Sequence, residues 1–211
     1  PMRLLVLGGT LFLGRAVAES ALAAGHRVTL FHRGRTNPHL FPEAEHRLGD
    51  RDGGLDALAG GAWDAVVDTC GYVPRVVRAS AAALRGRAGR YVFVSSISAY
   101  DEPLDAGADE SAPLATLSDP AGETLTGPVT PALRCFRTMS LVRPGLIVGP
   151  WDPTDRFGYW PRRIAAGGEV LAPGRPGAPL QVLDVRDLGA WLVRLAERGS
   201  PGAYNAVGPA E

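Results

Sequence analysis

The sequence contains no lysine. All 22 basic residues are arginine, so chemistry that depends on a lysine amine is excluded from these 211 residues. A GC-rich coding sequence is the simplest account of that bias on the surface. Cysteine is nearly as scarce: Cys70 and Cys135 lie far apart, which excludes a disulfide framework and points to a reducing, cytoplasmic compartment. Neither sign of charge dominates. The 22 acidic residues balance the basic ones without a long like-charge run, so no nucleic-acid partner is expected. No stretch approaches the ~18 consecutive apolar residues of a spanning helix, and the apolar start Leu4 to Leu7 passes straight into glycines instead of a signal-peptide cleavage site, so no membrane partner is expected either. What remains, 45% hydrophobic and 21% charged residues, is the composition of a packed domain and excludes collagen, coiled coil and charged tail.

Hydrophobic runs alternate with helical patterns over the first half. Arg3 to Leu7 reads as a buried strand, Phe12 to Ala24 as a helix closed by Gly25, and Arg27 to Phe31 as a second strand. A weaker strand at His46 to Leu48 and a short helix at Leu55 to Leu58 lead to a strand at Asp64 to Asp68. A helix entered at Pro74 and running to about Leu84 precedes the strand Arg90 to Ser95. This order predicts an α/β fold, a doubly wound parallel sheet of Rossmann type, because parallel neighbours need crossover connections. From Asp101 to Pro131 the chain is rich in Pro, Gly, Asp and Ser with little periodicity, which is unusual inside a compact domain. Leu141 to Val148 reads as a strand interrupted by Pro144-Gly145, Arg156 to Ala166 and Asp187 to Glu197 as helices, and Gln181 to Val185 as a short strand. The division expected is a nucleotide-binding domain over 1–149 and a small, partial substrate lobe over 150–211 with segments returning to the sheet.

Gly8-Gly9-Thr10-Leu11-Phe12-Leu13-Gly14 lies between the first strand and the first helix. A dinucleotide fold needs Gly8 for the tight turn, free backbone N–H groups at the helix start for the pyrophosphate, and Gly14 for close helix-to-strand packing. The middle glycine of the usual fingerprint falls at Leu11, so the pattern is incomplete. After the second strand comes His32-Arg33-Gly34-Arg35 and no acid. An acid there would take the ribose hydroxyls of NAD, whereas arginine favours the extra phosphate of NADP. NADP is therefore the expected cofactor, NAD the second choice, with Arg33 the first phosphate clamp and Arg35 the second. In Gly49-Asp50-Arg51, Asp50 is placed to accept from the adenine amino group, and a plain turn acid fits the same position. Thr69-Cys70-Gly71-Tyr72 ends the fourth strand on the same sheet edge, where small residues let a cofactor lie close.

In combination these segments resemble the extended short-chain dehydrogenase/reductase superfamily, the NAD(P)-dependent epimerase/dehydratase/reductase group. The glycine turn from Leu7 to Arg15 is similar to that group's nucleotide turn in an atypical form. Tyr91-Val92-Phe93-Val94-Ser95-Ser96-Ile97-Ser98-Ala99-Tyr100 resembles its active-site strand, and Val142-Arg143-Pro144-Gly145-Leu146-Ile147-Val148-Gly149-Pro150 its sixth strand and the loop that meets nicotinamide and substrate. Val182 to Leu188 and Gly202 to Asn205 resemble the later segments. The resemblance implies Ser96 as the catalytic serine. It implies Gly8, Thr10, Leu11, Phe12, Leu13, Gly14, Arg33, Arg35, Asp50, Arg51, Cys70, Tyr72, Ser95 and Pro144 toward the cofactor, and Ser98, Tyr100 and Tyr159 toward the substrate. No metal is expected.

The family mechanism also implies a Tyr-x-x-x-Lys pair, in which the lysine lowers the tyrosine's pKa while the serine binds the substrate oxygen. Of the five tyrosines only Tyr159 has a basic residue four positions on, and Arg163 stays charged, so it is a poor proton relay. The helix that carries the pair in the family falls near Thr130. Only eight residues, Pro131 to Thr138, separate that point from the next strand, so a helix is expected to be absent near 130/131 and the substrate lobe to be incomplete. The function implied is an NAD(P)-dependent oxidoreductase or epimerase acting on a carbonyl or sugar-like small molecule by hydride transfer. The alternative is a catalytically degenerate cofactor-binding, sensor or scaffold member. Trp151, Asp152, Asp155, Arg156, Tyr159 and Trp160 either meet a polar, ring-bearing ligand or cap the lobe. The partner expected is a small molecule, with a homo-oligomer possible.

Overall fold

A computed structural model describes residues 1–115 and 130–209. Seven strands form one parallel sheet: β1 (Arg3–Leu7), β2 (Arg27–His32), β3 (Glu45–Leu48), β4 (Trp63–Asp68), β5 (Ala88–Val94), β6 (Thr138–Pro144) and β9 (Gly202–Ala206), in the order β3-β2-β1-β4-β5-β6-β9. The register is uniform, Leu4 facing Val28 on one side and Ala65 on the other. Alternate side chains of a strand point to opposite faces, so a sheet buried on both sides is apolar along nearly continuous runs. Leu4, Val6, Leu30 and Val67 pack under the helices α1 (Phe12–Ala23) and α5 (Val185–Arg198). Leu5, Leu7, Val66, Tyr91 and Phe93 pack under α2 (Pro74–Leu84) and Leu133. This is the doubly wound α/β architecture expected.

The order reverses between β1 and β4, because the chain builds outward through β2 and β3 and then returns to the other side of β1. At such a switch point the loops at the carboxyl ends of the strands diverge and leave a crevice. The glycine turn after β1 and the Thr69-Cys70 segment after β4 both lie there.

The strand read as Leu141 to Val148 divides in two. Pro144 still pairs with Ala206, and the Gly145 N–H closes the ladder on the Ala206 carbonyl at 2.9 Å. Beyond it β7 (Leu146–Val148) leaves the sheet and pairs in parallel with β8 (Val182–Asp184). Helix α5 starts two residues earlier than expected because Asp184 caps it, its carboxylate accepting from the Arg186 N–H at 2.8 Å, and it ends at Gly199 in the left-handed conformation. Within 150–211, α5 and β9 are integral to the sheet domain, and the segment outside it holds α4 (Tyr159–Ala165) and exposed connections. A one-turn helix, α3 (Thr130–Leu133), runs through the 130/131 junction. Much of the Pro/Gly-rich stretch, 116–129, lies outside the described residues. Among the described residues no helix is long and apolar enough to cross a membrane.

Candidate functional site

A cavity of about 380 Å³ opens at the switch point. Its walls come from the glycine turn (Gly8, Thr10, Leu11), the loop after β2 (His32 to Thr36), the loop after β3 (Gly49 to Asp52), the end of β4 (Cys70, Tyr72) and the first turn of α2 (Val73, Val76). The turn is shaped by close approach. Gly8 has φ +105° and donates its N–H to the Phe31 carbonyl at 2.9 Å, and a Cβ on Gly14 would stand 2.5 Å from the Gly9 nitrogen. No side chain caps the start of α1, so its first backbone N–H groups have no side-chain partner there.

The structure brings nine of the predicted cofactor residues to this cavity: Gly8, Thr10, Leu11, Arg33, Arg35, Asp50, Arg51, Cys70 and Tyr72. Phe12, Leu13 and Gly14 form the first turn of α1 behind it, with Leu13 in the core. Arg33 and Arg35 are exposed and make no ion pair among the described residues. Asp50 accepts from the Asp52 N–H at 2.9 Å, a local turn contact, and lines the cavity. The Thr36, Val73 and Val76 contributions were not foreseen; the signal available was two valines three apart at a helix entry beside the Cys70–Tyr72 edge.

Arg51, expected as a cofactor contact, is committed elsewhere. It is 9% exposed, and its two terminal nitrogens donate to both oxygens of the fully buried Asp68 at 2.5 Å, while its Nε donates to Ser80 Oγ at 2.9 Å. Tyr91 completes the network, donating its hydroxyl to Asp68 at 2.7 Å. Burial and the Asp68 charge hold the Tyr91 phenol far above its ordinary range, so it remains a donor. Burial works against the Arg51 charge, and the Asp68 carboxylate more than offsets it, raising the guanidinium above its usual value. Burial and Asp68 likewise push the Cys70 thiol up, which keeps it an unreactive cavity wall.

The two histidines beside the arginines are joined. His32 Nε2 lies 2.8 Å from His46 Nδ1, the Gly34 N–H donates to His32 Nδ1 at 3.1 Å, and His46 Nε2 lies 3.0 Å from the Phe41 carbonyl. The ends fix the tautomers. Gly34 can only donate and the Phe41 carbonyl can only accept, so both rings are neutral, each with its proton on Nε2. Burial and the neighbouring His46 lower the His32 pKa, which agrees with that state.

The residues predicted for the nicotinamide and substrate end lie apart from this cavity. Ser95 continues β5, its N–H donating to Val142 at 2.7 Å, and Pro144 is buried at the end of β6. Ser96 is half-buried and caps the turn Ile97–Ala99, its Oγ accepting from the Ser98 N–H at 3.1 Å; Ser98 is exposed. Tyr100 is only 3% exposed. Its hydroxyl donates to Asn205 at 2.6 Å and accepts from Arg143 at 2.7 Å, with the Arg143 guanidinium also stacked over the ring. The phenol has no free hydrogen-bonding capacity on an open surface, because packing across β5, β6 and β9 uses it. Tyr159 is half exposed on α4 against Trp160, outside the described cavity.

No protein-family model matches this chain, and no curated protein sequence matches it. Solved structures do. A protein from Burkholderia cenocepacia described as an epimerase superposes with a TM-score of 0.81 at 24% identity, over 99% of this chain and 76% of its own. An enzyme from Bordetella bronchiseptica in complex with NAD+ gives 0.75 at 19% identity, covering 98% and 75%. The human epimerase family protein SDR39U1 with NADPH gives 0.69 at 22%, covering 98% and 74%. These likenesses show the fold: the chain shares its Rossmann-type α/β sheet with solved structures that include one described as an epimerase and one described as an epimerase family protein.

Proposed function

We propose that this chain binds a nicotinamide dinucleotide and acts with it as an oxidoreductase or epimerase on a carbonyl or sugar-like small molecule. One observation carries the reading: the cavity at the switch point joins a glycine turn with no room for a Cβ to a loop bearing two arginines that make no ion pair among the described residues. Gly8, Thr10, Leu11 and the N–H groups of α1 would hold the pyrophosphate. Arg33 and Arg35 would hold a 2′-phosphate, Asp50 the adenine amino group, and Cys70 and Tyr72 the adenosine face. When bound, the cofactor would supply the hydride. Ser96 would hold the substrate oxygen by its hydroxyl, with Ser95 and Pro144 bordering that end and Ser98 and Tyr159 toward the substrate. The similar structures, one described as an epimerase, one an enzyme with NAD+ and one an epimerase family protein with NADPH, support the reaction class and leave both dinucleotides in view.

NADP is favoured because two guanidiniums and no acid follow β2. Titration by cofactor fluorescence is expected to give tighter binding of NADPH than NADH, with Arg33→Ala losing about tenfold toward NADPH and little toward NADH. Equal affinity for both in the unmutated protein overturns the choice. For Ser96, the expected outcome of Ser96→Ala is a fall in turnover of about 100-fold with cofactor affinity retained. Loss of folding instead assigns Ser96 to its capping role at Ile97–Ala99.

The absence of lysine favours a second reading, a cofactor-binding sensor or scaffold that has lost the proton relay. A protein that binds NADPH tightly and never oxidises it before a panel of aldehydes, ketones and nucleotide sugars meets that description.

A further inference from the structure

We propose that the His32–His46 pair is the positioning device of the arginine loop, and that through it the protein sets its discrimination between dinucleotides with and without a 2′-phosphate. The inference rests on the cofactor reading above and concerns residues to which that reading gives no role. The chain leaves the sheet at His32, the last residue of β2, and returns at Glu45, the first of β3. Arg33 and Arg35 lie in the span between. At its start the span is held by the Gly34 N–H on His32, and toward its end by the Phe41 carbonyl on His46. In the middle, Asn37 Nδ2 donates to the Thr10 carbonyl at 2.9 Å and ties the loop to the glycine turn. The contact between the two rings links the first hold to the last.

The pair is a costly way merely to fill space. His32 is 8% exposed and its ring meets that of His46 edge to face, at 5.1 Å between centroids. Two apolar side chains would pack there without polar atoms to satisfy. What the histidines add is direction: each nitrogen has one partner, so the loop has one favoured path. That matters because an arginine side chain is long and rotamer-rich, and it delivers its charge to a fixed phosphate only from a fixed backbone. The adenosine and pyrophosphate contacts, made by the glycine turn and the loop after β3, use neither imidazole ring: Gly49 is held by the His32 backbone carbonyl, which a ring substitution leaves in place. Loosening the pair therefore weakens the 2′-phosphate contact selectively.

The experiment is titration of the full chain with NADPH and with NADH at neutral pH, for the unmutated protein, His46→Leu and His46→Gln, with a thermal melt of each. His46→Leu severs both contacts of the ring, and His46→Gln restores an acceptor and a donor. The expected result is an approximately tenfold fall in the NADPH-over-NADH preference for His46→Leu, NADH affinity holding within about twofold, and a preference closer to the original for His46→Gln. If His46→Leu does not fold, His32→Asn replaces it: the shorter side chain keeps an acceptor for Gly34 and cannot reach His46. A preference unchanged in the severed variant overturns the proposal, as does an equal loss of both dinucleotides, which marks a merely structural pair. Absence of any preference in the unmutated protein overturns the NADP reading itself and is a separate outcome.

Discussion

Asp68→Asn is expected to destabilise the protein by about 3–5 kcal/mol, because it leaves a buried guanidinium without its counter-charge. Arg51 is 9% exposed and Asp68 is fully buried, so water cannot replace the lost carboxylate. The asparagine also presents an amide N–H₂ where Arg51 or Tyr91 now donates, setting donor against donor. For a chain of this size each kcal/mol is worth ~2–4 °C of Tm, so a thermal melt should fall by roughly 6–20 °C. Replacing the whole network by apolar residues, Arg51→Met with Asp68→Leu and Tyr91→Phe, should recover much of the loss, since the pair is costly to break and far less costly to remove whole. A fall of under about 2 °C for Asp68→Asn contradicts the network as described.

The same network is hidden from the sequence. Arg51 follows Asp50 in a turn beside the adenosine wall, and from the sequence the two look equally available to a ligand. Asp68 is the last residue of β4, seventeen positions on. Nothing local to either residue announces the pairing. It exists because β4 crosses back beside β1 and brings its carboxyl end under the loop after β3. The histidine pair is hidden for a related reason: His46 sits in a four-residue edge strand whose partner in register is Leu30, so its contact with His32 runs diagonally across the ladder. Local periodicity, by contrast, was sufficient for the elements themselves. Leu4 to Leu7 and Ala65 to Val67 are apolar at every position, and Val28 to Phe31 at every position but Thr29, because both sheet faces are covered, and a nearly continuous apolar run carries that message directly.

The substrate end was less legible. Ser96 to Tyr100 resembled an active-site strand, and the fold does carry it at the carboxyl end of β5. Yet Tyr100 turns inward onto Arg143 and Asn205. A tyrosine's motif position does not report on which side of the strand its ring falls once the strand has ended at Val94. Pro144-Gly145 was visible as an interruption, but the parting of β6 from β7 depends on β8 and β9, about 40 to 60 residues later, competing for the two halves.

The glycine turn supports a second large prediction, in which binding and stability move apart. A Cβ on Gly14 would stand 2.5 Å from the Gly9 nitrogen and 2.9 Å from Thr69 Oγ1, so in Gly14→Ala the start of α1 must move away from the turn. Overpacking of this kind costs about 1–3 kcal/mol, and alanine's advantage over glycine inside a helix returns about 1 kcal/mol of that. Net stability should therefore fall by no more than about 2 kcal/mol. Dinucleotide affinity should not be spared, because the displaced groups are the N–H donors themselves, and a shift approaching 1 Å costs on the order of 100-fold. Gly189→Ala provides the contrast. Its Cβ would meet the Ala16 backbone at 2.8 Å, on the face where α5 crosses α1 away from the cavity. That variant should lose stability by a similar 1–3 kcal/mol less the roughly 1 kcal/mol gained in helix propensity, and keep its affinity for NADPH within about threefold. Paired melts and cofactor titrations of the two variants read both quantities. Equal loss of cofactor affinity in both would mean that α1 is positioned for the dinucleotide by its packing on α5 as much as by the turn.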